Sequence, residues 1–429
     1  METFEQIEDL ESRYLLPTYS RYPLALAKGK GVHVWDITGR KYLDFVGGLG
    51  VNALGHAHPR IVRVIREQAA KLIHVSNLYY HEYQGALAER LCQVSGLDRA
   101  FFSNSGTEAI EGAIKVARAV GHAVGGDAKC RLVALAGSFH GRTFGALSLT
   151  GQDKYRNGFE PLLEGVTFVQ KDDLPGLRDA IGDDTCAIVM EPIQGEGGIR
   201  ECSREFLQEA RELATKHRAA LILDEIQCGV GRTGTMFAYQ QMGIVPDIVT
   251  LAKPIAAGLP LGAFVVRQDF AQAITAGKHG TTFGGGPLAC RVALEVLAII
   301  HDEGLMQQVQ RVGAYMHDAF VRLVNHFPDI AVEARGRGMI QAFELRVPGR
   351  PVVDAAMAEG ILLNVTQDKV LRFLPPYLLQ EKHVDTLAKF LRKTLGKIGV
   401  TRKETSTARA QKKGESSTPH RSDRGDIAR

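Results

Sequence analysis

The sequence predicts an α/β protein with a large domain built on a mainly parallel, doubly wound sheet of seven strands, plus a smaller α+β domain. Seven short apolar runs follow one another along the chain, and segments with helical periodicity separate most of them. The 46 glycines among 429 residues suit the many tight turns that such an alternation needs. The length allows two or three domains.

The N-terminal residues 1–60 are predicted to form an arm and a hairpin that belong to the smaller domain. Residues 1–30 combine helical and extended pieces. Residues 32–46 alternate between polar and apolar side chains around a turn at Thr38-Gly39, which is the pattern of a hairpin.

The large domain is predicted over residues 61–305. Its strands are expected at residues 100–102, 131–136, 166–169, 187–190, 221–223, 248–251 and 263–266. Its helices are expected at residues 61–73, 83–94, 108–119 and 287–301, where apolar side chains recur every three or four positions. Gly121 is expected to end the third helix.

The C-terminal part of the smaller domain is predicted over residues 306–398, with a last helix at residues 382–395. Residues 399–429 are rich in Ser, Thr, Lys, Arg and Gly, which predicts a disordered basic tail. From residue 401 the tail holds eight basic and four acidic residues, a surplus equal to the net charge of +4. The rest of the chain is therefore neutral, and no nucleic-acid partner is expected.

Composition excludes several further classes. No apolar run reaches the roughly 18 residues of a membrane span, so no membrane association is expected. The six cysteines are scattered without a Cys-x-x-Cys pair, which favours reduced thiols in a cytoplasmic protein. The acidic N-terminus resembles neither a signal peptide nor a transit peptide. We interpret His56 and His58 as structural and predict no metal site, because no acid or cysteine near them completes a ligand set.

Two of the apolar runs end in charged residues that suit one cofactor. Residues 220–223 lead into Asp224-Glu225, and residues 248–252 lead into Lys253. The carboxyl ends of parallel strands form the edge where open α/β sheets bind ligands. A lysine that forms a Schiff base with an aldehyde, beside an acid that keeps a pyridine nitrogen protonated, is what pyridoxal 5'-phosphate requires.

Residues 103–108 are predicted to join a strand to a helix. The backbone N–H groups of that helix start and the hydroxyls of Ser105 and Thr107 could cradle a phosphate. The alternative is ordinary capping, with Glu108 in the first turn. The glycine-rich segment 279–286 carries two more hydroxyls, although alone it is weak evidence.

Four other side chains suit a cofactor ring or a substrate carboxylate. Phe139 follows a strand and could stack on a ring, and Arg142 beside it could hold a carboxylate. Arg372 lies among apolar residues and suits either a second carboxylate anchor or a structural ion pair. Within residues 191–198, a glutamate next to the substrate could hold an arginine when no second carboxylate is present.

Together these segments resemble the class III (subgroup II) aminotransferases, which have fold type I of the pyridoxal phosphate enzymes. The resemblance covers roughly residues 10–396, and residues 51–56 resemble the branch that acts on N-acetylornithine. The motifs that carry it are Asn104-Ser105-Gly106-Thr107-Glu108-Ala109, Phe139-His140-Gly141-Arg142-Thr143, residues 191–198, Asp224-Glu225-Ile226-Gln227, Gly231-Arg232-Thr233-Gly234 and residues 279–290.

The resemblance implies a set of cofactor residues. Lys253 would carry the covalent link and shuttle a proton, Asp224 would pair with the ring nitrogen, and Gln227 would contact the ring hydroxyl. Phe139 would stack on the ring, and Thr282 would reach the phosphate of the neighbouring subunit. The complete implied set is Ser105, Gly106, Thr107, Phe139, Asp224, Glu225, Ile226, Gln227, Lys253 and Thr282.

The resemblance also implies the substrates and the assembly. Arg142 would hold the distal carboxylate of the amino donor, Arg372 the α-carboxylate of glutamate, and Glu196 would pair with Arg372 while the donor is bound. Thr281 would contact substrate across the interface of a homodimer. We expect transfer of an ω-amino group to 2-oxoglutarate, with N-acetylornithine favoured over ornithine, succinylornithine, 4-aminobutyrate and carrier-linked lysine as the donor.

Two positions depart from the family pattern. Gly286 stands where the family usually has Asn, and Pro254 stands where it usually has a small residue. Proline disfavours helical geometry at Lys253, which is compatible with the end of a strand. The alternative of another class is a pyridoxal phosphate-binding regulator, but the N-terminal arm is too short for a DNA-binding domain and the tail lacks apolar periodicity.

Overall fold

A computed structural model of the protein describes residues 3–415. The N-terminal elements are a helix without buried residues, an antiparallel meander of three strands and a short turn of helix. They are α1 (Phe4–Tyr14), β1 (Leu26–Lys30), β2 (His33–Asp36), β3 (Lys41–Asp44) and α2 (Gly47–Gly50). The predicted hairpin is confirmed, because β2 and β3 pair in antiparallel fashion.

The next part of the chain alternates between helices and strands. Its elements are α3 (Pro59–Ala69), α4 (Glu82–Ser95), β4 (Arg99–Ser103), α5 (Gly106–Gly125), β5 (Arg131–Leu135), α6 (Phe144–Ser148), α7 (Asp153–Arg156), β6 (Val166–Val169), α8 (Leu174–Ala180), β7 (Thr185–Met190), β8 (Ile193–Gln194), β9 (Arg200–Glu201), α9 (Arg204–Lys216), β10 (Ala220–Asp224), β11 (Ile248–Leu251), β12 (Gly262–Val266), α10 (Gln268–Ala271) and α11 (Pro287–Asp302).

Seven of these strands form one sheet in the order β4-β12-β11-β10-β7-β5-β6. All pairs are parallel except those of β12, which runs antiparallel to β11 and β4. The predicted mainly parallel sheet of seven strands is therefore confirmed. Every residue of β7, β10 and β11 is buried, as expected for central strands covered on both faces. The parallel strands β7, β10 and β11 bring their carboxyl ends to one edge, where the site described below lies.

The C-terminal elements are α12 (Leu305–His326), β13 (Ala331–Arg337), β14 (Ile340–Leu345), α13 (Arg350–Ala358), β15 (Ile361–Leu362), β16 (Asn364–Thr366), β17 (Val370–Phe373) and α14 (Glu381–Glu415). A second sheet has the order β13-β14-β17-β16. β15 pairs with β3, so the N-terminal meander and this part of the chain share a sheet. The domain boundaries given above stay a prediction.

Three predicted helix ends differ from the structure. α3 ends at Ala69 and not at residue 73. α5 passes Gly121 and ends at Gly125. Gly121 is a packing position: a Cβ atom there would lie 2.4 Å from the Lys129 carbonyl oxygen. α14 runs through the start of the predicted tail to Glu415, because Lys, Arg, Glu, Gln and Ala favour helix and elongation needs no new nucleus. The remainder of the predicted tail, residues 416–429, lies outside the described residues.

The helices of this chain are those of a packed α/β fold. None of the helices in residues 3–415 combines the length and apolar character that a membrane span requires.

A buried lysine joins three segments at the amino end of the large sheet. The Lys129 ammonium donates to the carbonyl oxygens of Asp183 (2.9 Å), Thr185 (2.8 Å) and His217 (2.7 Å). Its side chain is almost completely buried, and burial lowers the pKa of Lys129. This ammonium ties the start of β7 to the end of α9.

Replacing Lys129 with methionine should lower the free energy of unfolding, because buried carbonyl groups lose a charged donor. We expect a loss of about 2 kcal/mol or more, since each buried acceptor left unsatisfied costs about 1–3 kcal/mol. Urea unfolding followed by circular dichroism measures it. Lys216→Met removes an exposed lysine from the same region and is the control. Equal loss in the two variants would contradict the proposed role.

Candidate active site

A cavity of about 390 Å³ opens at the carboxyl edge of the large sheet. It lies among the ends of β10 and β11, the start of α5 and the loops after β5 and β7. Ten of the residues predicted from the sequence line it: Ser105, Gly106, Thr107, Phe139, Arg142, Glu196, Asp224, Ile226, Gln227 and Lys253. The structure therefore brings together side chains that are spread over about 150 positions of the chain.

Lys253 lies two residues after the end of β11 and has an unusual backbone conformation. Its φ of 42° is in the left-handed region, which side chains with a Cβ atom rarely adopt. Pro254 disfavours right-handed helical geometry at Lys253, and the residue adopts a left-handed turn directly after the strand. The tight turn that begins at Lys253 reaches a second left-handed residue at Ala257 and forces the chain out of the strand direction. Burial and the nearby Arg372 lower the pKa of Lys253, so its amine is more readily uncharged and nucleophilic.

Asp224 is the last residue of β10 and is almost completely buried. Its Oδ1 accepts hydrogen bonds from Ile226 N at 3.0 Å and from the Thr250 hydroxyl at 3.3 Å. Its Oδ2 lies 2.7 Å from His140 Nδ1, which donates because an ionised carboxylate can only accept. These contacts fix the orientation of the carboxylate at the wall of the cavity.

His140 and Glu191 complete a buried charged cluster behind Asp224. Burial acts to lower the pKa of His140, but the hydrogen bond to Asp224 and the charges of Asp224 and Glu191 together outweigh burial and raise this pKa. Burial raises the pKa of Glu191 to about 7, against the opposing influence of His140. Glu191 also accepts from Phe139 N and from Gly195 N, each at 3.0 Å, and so ties together two loops of the site. Sequence reasoning gave neither residue a role.

The start of α5 combines a cap with a phosphate-sized opening. Ser105 caps the helix by accepting from Glu108 N at 3.3 Å, so the capping interpretation is correct. The Thr107 hydroxyl accepts from Arg142 N and from Thr143 N, each at 3.2 Å, which fixes the loop after β5 against the helix. Gly106 and Thr107 stand in the first turn, and their N–H groups belong to the unpaired donors of a helix start that attract anions.

Gln227 carries a buried oxygen that has no partner. Its Oε1 is fully enclosed and makes no hydrogen bond, although Gln227 lines the cavity. A buried acceptor in this state costs free energy until a donor reaches it. The hydroxyl of a pyridoxal ring is such a donor. Together with Lys253, Asp224 and the start of α5, this residue shows that the cavity fits pyridoxal phosphate.

Phe139 and Arg142 lie at the open side of the cavity. The Arg142 guanidinium stands 5.5 Å above the Phe139 ring and 4.3 Å above the Tyr155 ring. The two rings meet edge to face, with their centroids 5.4 Å apart. Arg142 is exposed, so stacking restricts its orientation without burying the N–H groups that bind a carboxylate. Tyr155 was missed, because nothing in the sequence near it suggests a site.

Arg372 and Glu196 form a buried ion pair beside the cavity. Arg372 comes from β17, and its Nη1 donates to Glu196 Oε1 at 2.6 Å. The guanidinium is 3% exposed and the carboxylate 22% exposed. Burial raises the pKa of Glu196, but Arg372 outweighs burial and lowers it. The pair matches the interpretation of Arg372 as a structural ion pair. It is also compatible with a carboxylate anchor, because the guanidinium that Glu196 occupies is the group that a substrate carboxylate would use.

Besides Arg372, three predicted residues do not line the cavity. Glu225 turns away from it: its carboxylate accepts from Ala238 N at 2.8 Å and from Tyr239 N at 2.9 Å. The side chain faces this way because successive residues at a strand end point in opposite directions, and cofactor binding at Glu225 stays a prediction. Thr281 accepts from the Asn104 amide at 3.2 Å, and Thr282 is exposed. The roles of both threonines stay predictions.

Further lining residues could not be recognised in the sequence. Val51 comes from the N-terminal segment, and Leu259, Pro260 and Leu261 come from the loop before β12. Their apolar side chains have no pattern that separates a cavity wall from ordinary packing.

Gly286, the other departure from the family pattern, starts α11 without a side-chain cap.

The sequence and the fold both match known aminotransferases. The family model "Aminotransferase class-III" matches residues 15–395. The chain belongs to the class III aminotransferases. The acetylornithine aminotransferase of Methanocaldococcus jannaschii is 45% identical over 379 residues, which cover 88% of this chain and 95% of that protein.

Two solved structures of class III relatives place the same fold around an active site. The ornithine aminotransferase of Toxoplasma gondii, solved with partial occupancy of pyridoxal phosphate at its active site, is 33% identical with a TM-score of 0.89, and the match covers 94% of this chain and 96% of that chain. The N-acetylornithine aminotransferase of Stenotrophomonas maltophilia is 34% identical with a TM-score of 0.78, over 92% of this chain and 99% of that chain.

Glu225 generates a prediction about pH and stability in this class III aminotransferase. Burial raises the pKa of Glu225 from the ordinary 4.5 to about 7. The stability linked to the protonated form is therefore present below pH 4.5 and is lost as the pH rises through about 7. In wild type relative to Glu225→Gln, which does not titrate, the free energy of unfolding should fall by about 1.4 kcal/mol per pH unit between about pH 5 and 7.

Urea unfolding of both proteins at several pH values measures this difference. Glu205→Gln, at an exposed position, controls for the loss of a titrating carboxyl and should keep the pH dependence of wild type. Curves of Glu225→Gln and wild type that run parallel over the whole range would show that Glu225 ionises normally in the folded protein.

Proposed function

We propose that the protein transfers the δ-amino group of N-acetylornithine to 2-oxoglutarate with pyridoxal phosphate as cofactor. The products are N-acetylglutamate semialdehyde and glutamate, and the step serves arginine biosynthesis. The observation that carries the proposal is a cavity lined by Lys253, Asp224 and the exposed Arg142. Beside it, the lining residue Glu196 pairs with a second arginine, Arg372. Relatives named acetylornithine aminotransferase, up to 45% identical, support the choice of donor.

The residues that line the cavity would hold the cofactor at three points. The start of α5 would bind the phosphate, Phe139 would cover the ring, and Asp224 would face the ring nitrogen. When bound, pyridoxal phosphate supplies an aldehyde that accepts the amino group and a ring that withdraws electrons from the substrate carbon. Asp224 is held by His140, Ile226 and Thr250, so its negative charge stays directed at one point of the cavity.

Lys253 would hold the cofactor covalently and then act as the proton carrier. Its lowered pKa allows Nζ to exist uncharged, which both the covalent link and proton abstraction need. Glu196, Asp224 and Glu191 oppose this shift, so the amine can also regain a proton. A lowered pKa brings the protonated and free forms of the amine closer in free energy, which favours transfer in both directions.

The two arginines explain how one site could serve two substrates. Arg142 is free at the cavity mouth and would anchor a carboxylate of the donor. Arg372 is neutralised by Glu196, which makes its surroundings suitable for a donor with no second carboxylate. When 2-oxoglutarate or glutamate enters, Glu196 would yield Arg372 to the substrate carboxylate.

We further propose a homodimer with the active site at the subunit interface, in the cytoplasm. Thr282 is exposed, and a group of large exposed apolar side chains surrounds its loop: Ile73, Leu78, Tyr79, Tyr80 and Phe283. The Asn77 amide donates to the carbonyl oxygens of Thr281 and Gly284, which joins this apolar surface to the threonine loop. An apolar surface of this kind marks a protein interface. All six cysteines are free thiols, which supports the cytoplasmic location.

Ornithine is the second candidate donor. The ornithine aminotransferase of Toxoplasma gondii has a fold close to this one, with a TM-score of 0.89. Ornithine and N-acetylornithine differ only in the charge and size of the α-amino substituent.

A rate panel tests the proposed donor. N-acetylornithine, succinylornithine, ornithine and 4-aminobutyrate are each supplied with 2-oxoglutarate, and glutamate formation is measured. We expect the highest kcat/KM for N-acetylornithine and no turnover in Lys253→Ala, which also loses the visible absorbance of the linked cofactor. A higher kcat/KM for another amine would replace the donor, and turnover by Lys253→Ala would refute the proposed chemistry.

Replacing Arg142 with alanine should raise the KM for the amino donor about tenfold or more, because a charge-assisted hydrogen bond contributes about 1.5–3 kcal/mol. Arg142→Lys keeps the charge but loses the bidentate geometry, so its KM for the amino donor should lie between those of wild type and Arg142→Ala. Steady-state kinetics at saturating 2-oxoglutarate measures both. An unchanged KM in Arg142→Ala would move the donor carboxylate to another site.

A further inference from the structure

The Arg372 guanidinium has a second partner on the neighbouring strand. Asn364 begins β16 and is the register partner of Arg372 on β17. The Asn364 Oδ1 accepts from Arg372 Nε at 3.1 Å and from Arg372 Nη2 at 2.8 Å. One amide oxygen therefore occupies the whole Nε–Nη2 edge of the guanidinium.

A guanidinium offers a carboxylate two edges with paired N–H groups, Nε–Nη2 and Nη1–Nη2. Asn364 fills the first edge. Glu196 Oε1 already contacts Nη1, which belongs to the second. A substrate carboxylate that binds Arg372 through two hydrogen bonds must therefore take the edge that Glu196 uses. The two carboxylates cannot share it without close contact between like charges.

The Asn364 atom that faces Arg372 is the amide oxygen, because a guanidinium can only donate hydrogen bonds. Tyr22 lies near this amide, and the Arg350 guanidinium lies 4.7 Å above the Tyr22 ring. Burial raises the pKa of Tyr22, so its phenol stays protonated near neutral pH.

We propose that Asn364 is a positioning residue that makes the binding of Glu196 and of the substrate α-carboxylate to Arg372 mutually exclusive. The inference deepens the proposed function and rests on it. Without the amide oxygen, the Nε–Nη2 edge becomes available, and the guanidinium can hold Glu196 on one edge and a substrate carboxylate on the other. Glu196 and the substrate α-carboxylate would then no longer exclude each other from Arg372.

A double-mutant cycle on the half-reaction with 2-oxoglutarate tests the proposal. The holoenzyme is converted to its pyridoxamine phosphate form, and the rate constant for its reaction with 2-oxoglutarate is measured by stopped-flow absorbance. In the wild-type background, Glu196→Ala removes the competitor and should raise kcat/KM for 2-oxoglutarate about tenfold, the ratio expected for one charge-assisted hydrogen bond. In the Asn364→Ala background, the same change should raise it less than about threefold.

Two further variants show whether a structural disturbance alone could change the gain from Glu196→Ala. Asn364→Val removes the amide oxygen but suits a strand, and it should reduce the gain from Glu196→Ala as Asn364→Ala does. Gln367→Ala is the matched control: Gln367 donates to the Glu196 carbonyl oxygen at 2.8 Å and lies outside the guanidinium contacts described above. In its background the gain from Glu196→Ala should stay at about tenfold.

The outcomes separate this inference from the proposed function. An equal gain from Glu196→Ala in the wild-type and both Asn364 backgrounds overturns the exclusivity, while the function stands. A wild-type enzyme whose pyridoxamine form does not react with 2-oxoglutarate overturns the proposed function itself. Because this half-reaction needs no acylated donor, the cycle does not depend on which amine the enzyme prefers.

Discussion

The buried carboxylate of Asp224 is the constraint on which the rest of the site depends. A negative charge at the end of a fully apolar strand is tolerated only if hydrogen bonds and opposite charge compensate its lost hydration. His140, Thr250 and the Ile226 N–H supply that compensation. The hydrogen bond from His140 fixes the loop after β5. Phe139 of the same loop donates its backbone N–H to Glu191 and so also fixes the loop after β7. The contacts that compensate one buried carboxylate therefore shape the pocket for the cofactor ring.

The substrate side of the site follows a different principle. Arg372 belongs to the sheet β13-β14-β17-β16, whereas Glu196 lies in the turn between β8 and β9, which follow β7 of the large sheet. Their ion pair crosses between the two parts of the chain and is separated by 176 positions in sequence. In the proposed exchange, a substrate carboxylate that takes Arg372 from Glu196 would also break this contact between the two parts of the chain. Asn364 stays on the Arg372 side of this pair, next to it on the same sheet.

The sequence predicted the sheet well, because central parallel strands are short uninterrupted apolar runs. The runs at residues 220–223 and 248–252 also sufficed to place Asp224 and Lys253 at the same edge. The contact between His140 and Asp224 could not be predicted, since it depends on packing between segments 84 positions apart. The direction of the Glu225 side chain follows from the alternation along a strand and could have been predicted. Gly121 misled for a related reason: its lack of a side chain serves a close approach to Lys129 and not a helix end. The helix Leu305–His326 was missed although Val309, Val312 and Met316 repeat at helical spacing.

The left-handed backbone of Lys253 has a consequence for evolution and engineering. A residue with a Cβ atom at φ 42° costs the fold roughly 1–3 kcal/mol, and its partly buried amine adds to that cost. The lysine proposed to carry the cofactor is thus a locally strained residue, and in that role it would be retained for activity at a cost in stability. Libraries screened only for thermal stability would tend to replace this lysine with glycine or asparagine, because these residues relieve the strain. Such replacements would remove the amine that the proposed chemistry needs. Stabilisation of this enzyme is therefore best sought in elements remote from this turn.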